Sequence, residues 1–265
     1  MNLIKVKNQR AGGNLFHFAH FMCDCVFPEV LSEVYKSDYI FRLKSLDQTL
    51  GNFEKIYEST FNCRNIEVDQ TSFDKIECEE KVIERLPSHH NIEDFKKFID
   101  FIFSSLSIDK APNPSCPEVL LIKRGERVEL ISDLELKKEN KNITNGLERR
   151  EIKGIDRVER RLRKKYGDKF SAATLEDMNF KDQVLHFYNA KIIVCAHGAC
   201  MANLFFCQPE TLVIEVNART AKEKEKSVGS GVFPFFDTIC EVLNLNQQKI
   251  GSNNGFDLLK YIHSL

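Results

Sequence analysis

No stretch of the 265 residues holds the roughly 18 consecutive apolar residues that a membrane-spanning helix needs. The opening Met1-Asn-Leu-Ile-Lys-Val-Lys7 turns polar before an apolar signal core can form, which predicts a cytoplasmic chain. Cys-x-x-Cys is missing although there are nine cysteines. Cys23 and Cys25 stand one residue apart, poor geometry for zinc, so no metal site is predicted there. Scattered cysteines with apolar neighbours fit reduced, buried thiols better than a disulfide framework. The Gly-x-Gly-x-x-Gly fingerprint of a dinucleotide enzyme is absent, as are internal repeats and low-complexity tracts. Charge of one sign does not dominate: 38 Lys+Arg against 39 Asp+Glu leave a formal net charge of -1. No global field then favours nucleic acid or an anionic membrane, and any anionic ligand must be held by a local site.

What the chain does contain is an ordinary globular mixture, 42% hydrophobic and 29% charged, enough for one large α/β domain or two small lobes. A boundary is visible. Ile92, Phe95, Phe98, Ile99, Ile102 and Phe103 fall at helical spacing behind an Asn91 cap. Asp109 to Pro117 then carries three prolines, which fit neither a helix nor a central strand. The predicted organisation is a lobe over 1–108, a linker over 109–117, a second lobe over 118–250 and a last helix over 251–265. Packing of that helix on the first lobe is one arrangement open to it.

In the first half the pattern gives a strand at Leu3–Val6, a turn at Gly12-Gly13-Asn14, and a helix over Leu15–Tyr35 that Pro28 should kink or divide. Short strands at Ile40–Leu43 and Lys81–Leu86 come after it. The second half is clearer. Apolar strands at Glu118–Lys123, Phe170–Leu175, Lys191–Ala196 and Thr211–Val216 alternate with helices at Ile155–Tyr166, Asn179–Tyr188 and Met201–Phe206. Such alternation implies a doubly wound parallel sheet. Asp257–Leu265 reads as the last helix.

The most informative stretch is Lys191-Ile-Ile-Val-Cys-Ala-His-Gly-Ala-Cys-Met-Ala-Asn203. A buried strand ends at Ala196, the chain turns through His197-Gly198-Ala199, and a helix begins. Ligands of open α/β sheets bind at such carboxyl ends. Small residues let an anion approach the backbone, and unpaired N–H groups of a helix start favour its charge. A diphosphate fits, although strand-Gly-helix turns are also ordinary packing devices.

A wider set of motifs adds to this. Leu120-Leu-Ile-Lys-Arg124, Arg149-Arg150-Glu-Ile152 and Glu176-Asp-Met-Asn-Phe-Lys-Asp-Gln183 precede Ala190-Lys-Ile-Ile-Val-Cys-Ala-His-Gly-Ala199. Asn203-Leu-Phe205 and Val213-Ile-Glu215 come after it. In order and spacing this set resembles the family 61 glycosyltransferases, which include plant xylosyl- and arabinosyltransferases, O-linked N-acetylglucosaminyltransferases and bacterial capsule enzymes. The resemblance implies a GT-B-like α/β fold: two Rossmann-like lobes with the active site in the interlobe cleft. It implies inverting transfer from a nucleotide sugar, usually a UDP-sugar, to a glycan acceptor. Xylose is the first expectation for the sugar and N-acetylglucosamine the second. No metal or other cofactor is expected, and the absence of Asp-x-Asp agrees.

Without a metal, fixed protein charge must stabilise the leaving diphosphate. The candidates are Lys123, Arg124 and Arg127 after the first strand, then Arg149 and Arg150, with the N–H groups around His197, Gly198 and Ala199. Asn179 and Gln183 are candidates for the nucleoside side, and Asn203 is a further candidate for holding the donor. Glu215 ends an apolar strand, where a carboxylate needs partners, and ribose hydroxyls would supply them. The basic run Arg157–Lys165 reads as a solvated helix face rather than a nucleic-acid site.

An inverting transferase also needs a base to deprotonate the acceptor hydroxyl. Gly13-Asn-Leu-Phe-His17-Phe-Ala-His20 resembles the Asn-x-x-His motif of the family. Many members carry an acid seven residues after that Asn, where this chain has Phe21. Asp24, one helical turn further, His20 and His17 are the remaining candidates for the base. Two rivals stay open. A non-catalytic nucleotide-sugar- or glycan-binding protein on the same scaffold is one; a thiol hydrolase using Cys195, His197 and Cys200 is the weaker. The chain looks closer to bacterial or viral members than to Golgi ones, so the Asn142-Ile-Thr144 sequon should be unused. Oligomeric state is not legible.

Overall fold

The computed structural model of the chain describes residues 18–35, 52–61, 91–125, 151–216 and 235–264. In chain order the first elements are α1 (Phe18–Phe21), α2 (Phe27–Val34), α3 (Asn52–Phe61) and α4 (Ile92–Ser105). Then come β1 (Val119–Lys123), α5 (Ile155–Tyr166), β2 (Phe170–Thr174), α6 (Phe180–Asn189) and β3 (Ile192–Ala196). A 3-10 segment (Ala199–Phe206), β4 (Leu212–Val216), α7 (Phe235–Val242), β5 (Asn246–Ile250) and α8 (Gly255–Ser264) complete them. The chain forms two compact units divided between Ala111 and Pro112; α7 belongs to the first, and residues from Leu243 onward to the second. Among the described residues no helix is long and apolar enough to cross a membrane.

The described part of the first unit is helical. A π-helical turn, Met22–Val26, joins α1 to α2, with the Phe27 N–H bonded to the carbonyl of Met22 five residues back. Pro28 stands in the first turn of α2. A proline within a regular α-helix supplies no N–H and collides with the carbonyl four residues earlier. The wider turn absorbs that conflict, so the helix predicted across Pro28 changes pitch and continues instead of dividing. The regular spacing expected to align positions 20, 21 and 24 is interrupted here. Phe21 itself is fully buried, a core residue. Phe27 meets Phe95 edge-on at 5.4 Å and Phe98 at 5.0 Å between ring centres, tying α2 to α4. The cap predicted at Asn91 is present: its side chain accepts from the N–H groups of Glu93 and Asp94, and Asp94 returns the bond. The expectations for Leu3–Val6, residues 12–14, Ile40–Leu43 and Lys81–Leu86 lie outside the described residues.

The described part of the second unit is built on five parallel strands in the order β2-β1-β3-β4-β5. Val119, Leu121, Val194, Ala196, Ile214 and Val216 form one core with Val158 and Leu162 of α5 and Leu258 and Ile262 of α8. Side chains alternate along a strand. The intervening Leu120, Ile193, Cys195 and Val213 therefore point the other way, and they too are buried. Burial on both faces explains why these strands read as unbroken apolar runs. The last helix lies in this core against α5. β5 is the strand that the pattern does not announce: among the described residues Asn246-Gln-Gln-Lys-Ile pairs only with β4, and an edge strand tolerates polar residues.

The packing of α5 sets two expectations for stability. A Cβ on Gly255 would stand 2.6 Å from the carbonyl oxygen of Lys153 and 3.1 Å from Val158 Cγ2. Backbone cannot retreat as a side chain can. Gly255→Ala is expected to destabilise by about 1–3 kcal/mol, read by chemical denaturation. Glu159 bonds Arg163 at 3.0 Å and Lys123 at 3.0 Å, and these cations, Arg163 foremost, hold its carboxyl below the usual range. A lowered folded value contributes stability above the unfolded value, lost as pH falls through the folded one. Because the pair is partly solvated, Glu159→Gln should cost no more than about 1 kcal/mol near neutrality. That cost should vanish in strong acid; equal losses at both pH values would refute this linkage.

Candidate functional site

The strand order 2-1-3-4-5 reverses its direction of growth between β1 and β3. A doubly wound sheet of this order leaves its ligand crevice outside the carboxyl ends of those two strands, where the crossovers part to opposite faces. β1 delivers Lys123, Arg124 and Gly125 to that point, and β3 delivers His197 and Gly198.

Arg124 is half-buried and its Nη2 lies 3.5 Å from the His197 carbonyl oxygen, so the guanidinium spans the switch point. Lys123 is turned elsewhere: its Nζ bonds Glu159 at 3.0 Å and approaches Asp156 at 3.5 Å, both on α5. Those bonds, Glu159 first, raise the Lys123 ammonium above its ordinary value. Arg124 is thus the strand-end cation that the geometry brings to His197.

Beyond β3 the backbone stays paired for one more residue, His197 N–H donating to the Val216 carbonyl at 2.8 Å. The chain then turns at Gly198, whose carbonyl accepts from the Met201 N–H at 3.0 Å. A tight 3-10 segment takes the place of the helix that the pattern predicts over 201–206. Gly198 is buried and Ala199 opens the segment. Cys200 bonds the Ala196 carbonyl at 3.5 Å, and its thiol is lowered, first by a hydrogen bond with Cys195, with the charge of Arg124 helping against burial. The two thiols bond each other here, whereas His197 directs its ring to a carboxylate.

That carboxylate is Glu215, one strand over on β4. His197 Nδ1 and Glu215 Oε1 are 2.5 Å apart, and Gln247 Nε2 on β5 donates to Glu215 Oε2 at 2.8 Å. Glu215 is 3% exposed, and these two bonds answer the demand of a buried carboxylate for partners.

Asn179, Gln183 and Asn203 are each bonded to neighbouring protein groups. Asn179 caps α6, accepting from the Asp182 N–H at 2.8 Å and donating to its carboxylate at 2.7 Å. Gln183 is buried and its Nε2 donates to the carbonyls of Leu175 at 2.9 Å and Met178 at 3.1 Å. Its Oε1 accepts from Asn203 Nδ2 at 3.2 Å. Asn203 is fully buried, and its Oδ1 has no hydrogen-bond partner among the described residues. Gln183 and Asn203 therefore tie α6 to the 3-10 segment behind the turn.

The described residues do not include every candidate. Arg127, Arg149, Arg150 and His17 lie outside them, as do the resembling Asn14 and the Arg149-Arg150 motif. His20 belongs to α1 and Asp24 to the π-helical turn, both in the first unit. Among the described residues no group of three or more His, Cys, Asp or Glu side chains could hold a metal ion. Gln247 is the site residue that pattern reasoning misses. It sits on a polar edge strand with no apolar alternation, and only the register Val213↔Gln247 places it on the same face as Glu215.

Comparison with known proteins supplies the family. A search among curated proteins gives no significant match. The sequence model of the family described as Glycosyltransferase 61 matches residues 18–214, most of the chain, spanning His20, Asp24, Arg124, the His197-Gly198 turn and Asn203. On that match, the chain belongs to the family 61 glycosyltransferases.

Proposed function

We propose that the chain is an inverting, metal-independent glycosyltransferase that moves a sugar from a UDP-sugar to a hydroxyl of a glycan acceptor. Family membership carries the transferase part and implies a nucleotide-sugar donor and an acceptor. The observation that supports the donor position is Arg124 standing beside the His197-Gly198 turn at the switch point of a parallel sheet. A diphosphate set there would face one guanidinium and the first N–H groups of the 3-10 segment. The proposal includes the two-lobed GT-B plan, with residues 1–108 as the acceptor-side lobe and 118–250, apart from α7, as the nucleotide-sugar lobe. It also includes a cytoplasmic location.

In this reading the acceptor oxygen loses its proton to a base as it attacks the anomeric carbon. The bond from that carbon to the diphosphate breaks, and its electron pair leaves on the phosphate oxygen. Arg124, with Arg149 and Arg150, answers the charge that develops, and no divalent ion is required. Asp24, His20 or His17 supplies the base. Xylose is the first expectation for the sugar and N-acetylglucosamine the second, both on UDP.

One observation favours a second reading. The position where many relatives carry an acid is Phe21, fully buried in a helical core. A non-catalytic nucleotide-sugar- or glycan-binding protein would have no use for that acid. Incubating the protein with UDP- and GDP-sugars, with and without EDTA, separates the two. Slow UDP release from one sugar, unaffected by EDTA, supports the transferase. UDP binding with no release from any sugar supports the binder.

A further inference from the structure

Its place at the end of an apolar strand makes Glu215 a candidate for the donor ribose, but its surroundings point elsewhere. Both carboxylate oxygens are engaged by protein groups, Oε1 by the His197 ring at 2.5 Å and Oε2 by the Gln247 amide at 2.8 Å. The side chain is only 4% exposed, whereas the His197 side chain keeps 23% of its surface exposed. A ligand arriving at the strand ends meets the imidazole, with the carboxylate behind it.

The three groups lie on one face of neighbouring strands. In the register of the sheet Cys195 stands beside Glu215, and Val213 beside Gln247. His197 is two residues beyond Cys195 and Glu215 two beyond Val213. With side chains alternating, the line Gln247, Glu215, His197 therefore runs across the sheet on a single face and ends at the switch point. β5 thereby gains a purpose that its polar sequence does not suggest: it supplies the amide that fixes the carboxylate.

We infer that Glu215 and Gln247 are positioning residues that act on the donor through His197. Their relay holds the imidazole by its Nδ1 edge and turns the rest of the ring toward a nucleoside diphosphate. This rests on the reading that the donor binds at the carboxyl ends of β1 and β3. The physical logic is that of any oriented imidazole: a partner on one ring nitrogen fixes both the rotamer and the proton position, and so decides what the other edge offers. An unheld ring would spend its binding energy on being ordered. The Arg124 guanidinium, 3.5 Å from the His197 carbonyl, approaches the same residue from β1 and leaves the relay intact.

The test has one arm without nucleotide and one with it. Protein labelled with ¹⁵N-histidine should show a far-downfield Nδ1 proton from His197 in the absence of any ligand. That proton should disappear in Glu215→Gln and move in Gln247→Leu. In calorimetry with UDP, His197→Ala and Glu215→Gln should each weaken binding about tenfold. Combined, the two changes should cost no more than either one. The preference for UDP over 2′-deoxy-UDP and 3′-deoxy-UDP should survive in Glu215→Gln. Absence of the downfield proton, additive losses, or a collapsed preference for the ribose hydroxyls would overturn the relay and restore Glu215 as a ribose ligand. If the intact protein binds no UDP, the donor reading fails and the donor role of the relay fails with it.

Discussion

Replacing Arg124 with alanine should lower kcat/KM for donor turnover by about 100-fold while leaving the unfolding midpoint nearly unchanged. The expectation comes from where the residue sits. β1 is buried along Val119–Ile122, and Arg124 is the first side chain beyond its end able to carry a fixed positive charge to the switch point. Lys123, its neighbour, is occupied with Glu159 and Asp156 on α5. A preorganised charge aimed at a developing anion contributes about 3 kcal/mol in the transition state. That amount corresponds to the hundredfold expected. Arg124→Lys should recover only part of the loss, because an ammonium cannot make the two parallel bonds that a guanidinium offers a phosphate. Steady-state kinetics over a range of donor concentrations reads both variants. A loss confined to KM would mean that Arg124 holds donor and transition state equally. An unchanged kcat/KM would remove Arg124 from the site.

The second large effect is on stability. Phe206→Ala should cost about 3–5 kcal/mol of unfolding free energy. Phe206 is fully buried at the end of the 3-10 segment and meets Phe180 of α6 edge-on at 5.8 Å between ring centres. Its removal leaves a cavity that neither the short segment nor α6 can close without moving the other. Because total stabilities are only about 5–15 kcal/mol, the variant should sit near the edge of folding. Chemical denaturation of wild type and variant measures it. The same segment begins at the His197-Gly198 turn, so donor affinity should fall along with stability. A loss below about 1 kcal/mol would show that the packing between α6 and the segment is not what holds the turn.

The second unit is legible because burial on both faces leaves a simple trace. Val119–Ile122, Ile193–Ala196 and Val213–Ile214 are apolar without interruption, and small or polar residues follow β1 and β3. The cap at Asn91 is legible too, since Asn followed by an acid three residues on has a local cause. Where the cause is tertiary the sequence is silent. Asn246–Ile250 is a strand only because β4 offers it an edge, and nothing in Asn-Gln-Gln-Lys-Ile reports that. The π-helical turn before Pro28 reflects how the helix carries a proline while keeping Phe21, Met22 and Phe27 buried.

The site divides in the same way. The turn at His197-Gly198 and the cation at Arg124 are read from strand ends and motif order. The engagement of Glu215 by His197 and Gln247 depends on which strands lie side by side, which chain order does not state. Asn179 and Gln183 show the converse. Their place in a motif suggests the nucleoside, whereas their bonds show a helix cap and a buried tie to Asn203. Residue types with several hydrogen-bonding groups suit ligand and backbone equally well, so type and spacing alone do not separate the two.

A nucleoside diphosphate is expected to bind at the carboxyl ends of β1 and β3. A crystal structure of the protein with UDP tests it most directly. The diphosphate is expected within hydrogen-bonding reach of Arg124 and of the N–H groups that open the 3-10 segment, with the His197 ring alongside. UDP seated at the opposite ends of the strands, or clear of Arg124 and His197 altogether, would contradict it.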